Sequence, residues 1–286
     1  MNYLTLSVAA LIPALLLCWY IYEKDRVEKE PIGLLAALFA AGAILFVPTI
    51  YLENTLIVAV DRIMKSEMKF GVSGFEGFVS TGAHVKHSFL CAFFAIALLE
   101  EGVKWLLLFL GTRKNENFDH LFDGIVYAVF MSLGFAAMEN VFYAVRDGWS
   151  VFILRSLTSV PGHMTFGVLM GFCYTMWHTY LIAKDLEKHY EAEGKIKIEK
   201  PFCSGIWLAA SAILPMLLHG VYSFLKLYTS DVMAILFYTF IVILYILCFI
   251  AVRRLSASDN EDDKIAYSLL IRKYPALKAV QNKTKH

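Results

Sequence analysis

Long apolar blocks separated by short polar segments dominate the pattern of this sequence. A helix that spans a membrane needs about 20 predominantly apolar residues, and seven blocks reach that length. None shows the period-two alternation of a membrane β-barrel. The predicted spans are Tyr3–Tyr22, Ile32–Val60, His87–Leu110, Leu121–Val145, Val151–Ala183, Phe202–Tyr228 and Val232–Val252. The pattern therefore predicts an all-α fold, a polytopic transmembrane bundle of about seven (seven or eight) helices.

The composition agrees with a chain whose solvent is the lipid bilayer. Of its 286 residues, 58% are hydrophobic and 18% are charged, against roughly 45–50% and about 25% in soluble domains. The net charge is +1, and no basic stripe with interleaved aromatic residues indicates a nucleic-acid partner. The five cysteines show no CxxC spacing, which argues against a thiolate metal site or a disulfide framework. Nothing in the sequence specifies an oligomeric state.

Basic residues in the connecting segments predict the orientation. They cluster after the first, third, fifth and seventh predicted spans, and the positive-inside rule places such segments in the cytoplasm. The clusters are Lys24, Arg26 and Lys29; Arg113 and Lys114; Lys184, Lys188, Lys195, Lys197 and Lys200; and Arg253 and Arg254. We therefore expect the N-terminus outside and the C-terminus inside. Residues 1–255 are predicted to form one transmembrane domain, and residues 256–286 a short polar cytoplasmic tail.

Two adjacent carboxylates, Glu100 and Glu101, interrupt the third predicted span. They lie about ten residues, or ~15 Å, from the end of the helix and so near the middle of the membrane. A charge at that depth costs at least ~2.5–3.5 kcal/mol, which makes the pair a functional candidate. Successive helical residues are rotated by about 100°, so the two side chains cannot do the same job. Lys104 can pair with either acid, and a purely structural ion pair is the alternative.

Other polar residues interrupt the later spans at compatible depths. They are Glu139 and Asn140 in the fourth span, His163 in the fifth and His219 in the sixth. If the helices pack suitably, a glutamate could act as general base on water while a histidine stabilises an oxyanion or protonates a leaving amine. Glu139, His163 and His219 could instead hold zinc. No HExxH motif is present, so we predict no cofactor, with zinc as the alternative.

Several short motifs, in order along roughly two thirds of the chain, carry a resemblance to a known family. They are Asp25 to Glu30-Pro31, Glu100-Glu101-x-x-Lys104, Phe122-Asp-Gly-Ile-Val-Tyr, Gly134-Phe-Ala-x-x-Glu139-Asn140, Arg155 with His163, and His219-Gly-x-Tyr222. Together they resemble the PrsW family of intramembrane proteases, relatives of the type II CAAX prenyl proteases and of the Abi/CPBP immunity proteins. The wider superfamily often has Asn or Asp four residues after the last histidine, where this chain has Ser223.

The resemblance implies a multi-pass endopeptidase of a bacterial-type plasma membrane. Its substrate would be a single-pass membrane protein, as in site-1 cleavage of an anti-sigma factor. The catalytic residues implied are Glu100, Glu101, His163 and His219, supported by Lys104, Glu139 and Asn140. Two other functions remain open from the residues alone: a proton-coupled transporter, and a non-catalytic protein that binds membrane peptides or confers immunity.

Overall fold

The helical bundle predicted from the sequence is present in the computed structural model, which describes residues 3–68, 84–227 and 231–277. Eight helices cover these ranges: α1 (Tyr3–Lys24), α2 (Ile32–Met68), α3 (84–112), α4 (Asp123–Asp147), α5 (Trp149–Ala192), α6 (Gly205–Leu227), α7 (Asp231–Ala257) and α8 (Asp262–Lys273). Among the described residues, five helices (α1, α2, α4, α6 and α7) are long and apolar enough to cross a membrane. The predicted all-α class and helix number are confirmed.

Helix α3 changes its winding immediately before the two adjacent glutamates. Its first turns, residues 84–90, are α-helical, Cys91–Ala97 is π-helical, and Leu98–Thr112 is α-helical again. A π-helical turn contains more residues than an α-helical one, and such turns are frequent at functional sites. The π segment thus sets the rotation with which the following acids enter the bundle. Glu100 and Glu101 are both buried, with 4% and 0% of their surface exposed.

Helix α4 is the centre of the bundle and packs against α1, α2, α3 and α5. Small residues let its backbone approach its neighbours closely, as is common where membrane helices pack together. A Cβ atom built on Gly134 of α4 would lie 1.9 Å from the carbonyl oxygen of Phe39 in α2. A Cβ on Gly171 of α5 would lie 2.3 Å from the carbonyl oxygen of Gly124. These contacts hold α4 in the position from which it contributes to the polar interior.

The segment predicted as a polar tail contains α8, which packs on the end of α5. Asp262 accepts hydrogen bonds from Thr179 Oγ1 at 2.8 Å and pairs with His178 Nδ1 at 2.8 Å. Further along, Glu187 accepts a hydrogen bond from the hydroxyl of Tyr274 at 2.9 Å. Residues 278–286 of the predicted tail lie outside the described ranges. The separation of residues 256–286 from the transmembrane domain stays a prediction, as does the orientation in the membrane.

We expect Gly134→Ala to destabilise the bundle, because its methyl group would overlap the Phe39 carbonyl and force α2 and α4 apart. Overpacking of this kind typically costs about 1–3 kcal/mol. Gly111→Ala in α3 is the matched control, since its Cβ would meet nothing within 4 Å and alanine is the better helix former by about 1 kcal/mol. Thermal unfolding in detergent measures both. Equal melting temperatures for the two variants would contradict the packing argument.

Candidate active site

A polar cavity of about 130 Å³ lies among α2, α3, α4, α5 and α6. Its acidic, basic and histidine lining consists of Glu53, Glu100, Glu139, Arg155, His163, His219 and Lys226. Three of the four residues predicted to be catalytic therefore face one cavity. Ser223, which occupies the position of the superfamily's Asn or Asp, also lines it. The convergence that the sequence could only propose is present in the structure.

The adjacent glutamates have different surroundings, as their helical rotation predicts. Glu101 is fully buried, and its Oε1 accepts hydrogen bonds from Lys104 Nζ at 2.8 Å and His219 Nδ1 at 2.9 Å. Its Oε2 has no hydrogen-bond partner within the part of the chain that the structure describes. Glu100 lines the cavity, and Lys104 Nζ lies 3.3 Å from its Oε2. Glu101 thus contacts side chains of α3 and α6, while Glu100 faces the cavity.

Lys104 supplies positive charge at the centre of the polar interior. Its side chain is fully buried, and Nζ lies 3.0 Å from His163 Nδ1 in addition to its contacts with the two glutamates. The ammonium also lies 4.2 Å from the centre of the Phe135 ring, where the π-electrons attract a cation. One cation thus contacts two carboxylates on its own helix and a histidine from α5. This contact explains how two acids persist in an apolar bundle.

His163 is held at both ring nitrogens. An ammonium can only donate, so Nδ1 accepts from Lys104, and this assignment makes Nε2 the protonated nitrogen. Nε2 donates to Glu139 Oε2 at 3.0 Å. The same Glu139 oxygen accepts from Arg155 Nη2 at 2.7 Å, and this guanidinium also donates to Ser159 Oγ at 2.9 Å. The chain of contacts fixes the orientation of the His163 ring between α3 and α4.

The predicted supporting residue Asn140 is not part of this group. Its Nδ2 donates to the backbone oxygen of Ala10 at 2.9 Å, and Asn140 is not among the residues that line the cavity. The amide therefore ties α4 to α1. Asn140 is adjacent to Glu139 in sequence, but on a helix that adjacency turns the two side chains to different neighbours.

Glu53 of α2 is a cavity residue that was not predicted from the sequence. It lines the cavity beside Glu100 and Glu139 and is 7% exposed. The signal was available, because Glu53 lies inside a predicted span and an acid at that depth is expensive. Arg155 had appeared only within a motif and had no assigned role. The structure pairs it with Glu139.

Four of the residues could together hold a metal ion. Glu100, Glu101, His163 and His219 each offer one ligand atom, and these atoms all lie within 4.8 Å of one another. The zinc set predicted from the sequence contained Glu139 in place of the two glutamates. In the structure Glu139 contacts Arg155 and the His163 ring instead. Such contacts are typical of a residue that orients a metal-ligating histidine.

Comparisons with known proteins show which family the chain resembles. The family model described as "PrsW family intramembrane metalloprotease" matches residues 30–252 of the chain. A curated protein named Protease PrsW from Oceanobacillus iheyensis is 31% identical over 258 residues, covering 90% of this chain and 98% of its own. Proteins of the same name from Clostridioides difficile and Bacillus subtilis are 33% and 30% identical, over 85% and 76% of this chain and 87% and 80% of their own lengths. No solved structure matches the chain.

We expect Lys104→Met to destabilise the protein strongly, because it leaves buried carboxylates without a counter-charge. Removing one partner of a buried ion pair typically costs about 3–5 kcal/mol. The double variant Lys104→Met with Glu101→Gln should recover much of that loss, since it removes the unpaired charge as well. Lys114→Met, at an exposed lysine, is the control. Chemical unfolding in detergent measures all three, and wild-type stability of Lys104→Met would contradict the central role of the ammonium.

Proposed function

This chain belongs to the PrsW family of intramembrane proteases, and we propose that it cleaves a single-pass membrane protein with Glu100 as general base and His219 as its assistant. The protein is a multi-pass bacterial membrane peptidase that acts on a protein substrate. The observation that carries the mechanistic proposal is the asymmetry of the acidic pair. Glu100 faces the cavity, whereas Glu101 is committed to Lys104 and His219.

Glu100 has the position that a general base requires. A water molecule in the cavity can give a proton to its carboxylate while the oxygen attacks the carbonyl carbon of the scissile peptide bond. The resulting tetrahedral intermediate carries the negative charge on the former carbonyl oxygen. Collapse breaks the C–N bond, and the proton held by Glu100 passes to the leaving nitrogen. The products are a carboxylic acid and an amine, and the carboxylate is regenerated.

His219 is the group best placed to stabilise the developing oxyanion. Glu101 holds its Nδ1 at 2.9 Å, and the ring stacks on Phe166 with 4.7 Å between ring centres. When both ring nitrogens carry a proton, Nδ1 donates to Glu101 and Nε2 offers an N–H to the oxyanion. A fixed donor aimed at the oxyanion commonly contributes about 10²–10³ to the rate. His163, held by Lys104 and Glu139, is a positioning residue in this scheme.

The zinc alternative uses the same side chains, and they fit the ion. Two carboxylates and two imidazoles form a donor set suited to zinc, and the unpartnered Oε2 of buried Glu101 is the observation in its favour. Zinc would supply Lewis acidity to a carbonyl group or water. Lys104 is the obstacle, because its ammonium lies 3.3 Å or less from atoms of three of the four residues. The side chain of Lys104 would have to move away from these atoms before an ion could bind.

The proposed substrate class rests on the family and on the size of the site. The cavity of about 130 Å³ has room for the atoms around one peptide bond and not for a folded domain. A substrate therefore has to present an extended segment, as an unwound stretch of a single-pass protein would. An anti-sigma factor cut at a first site is the specific member of that class that we propose.

We expect Glu100→Gln to lower the rate of proteolysis by about 10²–10⁴, the usual contribution of general base catalysis. The assay uses purified protein in detergent and a panel of tagged single-pass proteins that includes an anti-sigma factor. His219→Gln should also reduce the rate constant, with a smaller effect on substrate affinity. Glu193→Gln, which changes an exposed acid on a connecting segment, should leave the rate unchanged. Wild-type rates for Glu100→Gln would refute the proposed base.

A separate experiment distinguishes the two forms of the chemistry. The metal content of the purified protein is measured by mass spectrometry before and after dialysis against a chelator, and proteolysis is followed in parallel. The metal-free form predicts full activity with less than stoichiometric metal. Loss of activity together with loss of one equivalent of zinc, both restored by adding zinc, would support the alternative.

A further inference from the structure

A second polar cluster lies at the end of α1, apart from the cavity. Three segments that are distant in sequence meet there: the connection from α1 to α2, the segment before α4, and the segment between α7 and α8. A backbone bridge between His120 and Glu261 joins the second segment to the third. The titratable residues of the cluster are Asp25, Glu28, Glu30, Asp119, His120, Asp123, Tyr127 and Asp259. The proposed proteolysis makes no use of any of them.

Backbone amides hold three of these carboxyl groups in fixed orientations. Asp25 Oδ2 accepts from the Glu30 amide at 3.0 Å. Asp123 Oδ2 accepts from the amides of Asp119 and His120 at 3.0 and 2.7 Å. Asp259 Oδ1 accepts from another backbone amide, that of residue 122, at 2.9 Å. Carboxylates that ligate metals are commonly oriented by outer hydrogen bonds in this way.

The other oxygen of each of these carboxyl groups is buried without a partner. Asp25 Oδ1, Asp123 Oδ1, Asp259 Oδ2 and also Glu30 Oε2 have no hydrogen-bond partner among the described residues. Asp25 and Asp123 are 0% and 1% exposed, and Glu30 is 5% exposed. Several acids thus leave one oxygen each unsatisfied in a common region, which is a costly arrangement unless something binds them.

No lysine or arginine forms an ion pair with these buried carboxyl groups among the residues described, although the charge of Lys29 acts on Asp25. Lys29 is close in sequence, but its ammonium donates to the Tyr22 carbonyl at 3.2 Å and to Glu23 at 3.4 Å. Burial raises the pKa of Asp25 to about 6 and that of Glu30 to about 7. A bound cation would offset the cost of burying these carboxylates.

The rim of the cluster already has the spacing of metal ligands. One ligand atom each from Glu28, Asp119 and His120 lie within 4.8 Å of one another. His120 is 5% exposed, whereas Glu28 and Asp119 are exposed. The rim is thus open to solvent, and the buried carboxyl groups lie behind it. Charge interactions link the two parts, since Asp25 and Asp259 both act on His120.

We propose that this cluster is a binding site for a hard divalent cation, entered through Glu28, Asp119 and His120 and backed by the buried carboxyl groups. Carboxylate-rich sites select Mg²⁺, Ca²⁺ and Mn²⁺, and Mg²⁺ and Mn²⁺ commonly retain several water ligands. A bound ion would fasten the α1–α2 connection to the start of α4 and to the segment before α8. The site shares no residue with the group of Glu100, Glu101, His163 and His219, and the proposal does not rest on the proposed proteolysis.

Mn²⁺ is the probe for the test, because its free form is counted directly by electron paramagnetic resonance. Chelator-treated full-length protein in detergent is titrated with Mn²⁺ at pH 7.5, and its thermal unfolding is followed in parallel, with Mg²⁺ and Ca²⁺ as further ligands. We expect saturable binding and a melting temperature that rises with ion concentration. Asp119→Asn and Asp25→Asn should each weaken binding by roughly 10–100-fold. Asp119 is exposed, so that variant remains informative if Asp25→Asn does not fold.

Two controls separate this site from its surroundings. Glu116→Gln removes an exposed acid from the same connecting segment. Glu101→Gln removes one of the four residues of the candidate active site that could hold a metal ion. Both should retain the binding. The proposal is overturned if wild type binds no ion, if Asp119→Asn binds like wild type, or if only Glu101→Gln abolishes binding. It is also overturned if ion-free Asp25→Asn is more stable than wild type and no variant responds to ions, because protons would then neutralise the cluster.

Discussion

Burial of two adjacent carboxylates inside an apolar bundle is the constraint on which the rest of this structure depends. Each ionised carboxylate loses several kcal/mol of hydration, and only close counter-charge and hydrogen bonds can offset that loss. Lys104 provides the charge at 2.8 Å from Glu101 and 3.3 Å from Glu100. His163 and His219 supply the additional contacts. Any helix arrangement that failed to bring these groups together would leave the acids uncompensated.

The packing of the helices follows from this requirement. A π-helical segment precedes the acids in α3, and close contacts at glycines place α4 against α2 and α5. Another close contact lies beside His219. A Cβ on Gly220 would lie 2.3 Å from the ring of Phe93, a residue of the π segment. The irregular winding of α3 and the small residue on α6 thus fit each other. Together they bring the histidine within hydrogen-bond distance of Glu101.

The two polar clusters of the protein solve the same physical problem differently. Around the cavity, Lys104 and Arg155 neutralise the acids, and the Glu100 carboxylate faces the cavity. In the cluster at the end of α1, backbone amides orient Asp25, Asp123 and Asp259 and leave one oxygen of each without a partner among the described residues. The first arrangement suits catalysis of proton transfer, and the second suits the capture of a cation. Both draw their members from distant parts of the chain.

The sequence by itself determined the class of the fold and most of the site's membership. Apolar blocks of spanning length predicted the helices, and the cost of burying charge identified Glu100, Glu101, His163 and His219 as candidates. Only the tertiary structure decided which neighbours these residues have. Because of helical rotation, Glu100 faces the cavity whereas Glu101 contacts His219. In the same way Glu139 contacts Arg155, whereas Asn140 contacts α1. Glu53 joined the site for the same reason: a residue's depth can be read along the chain, whereas its neighbours depend on how separate helices pack.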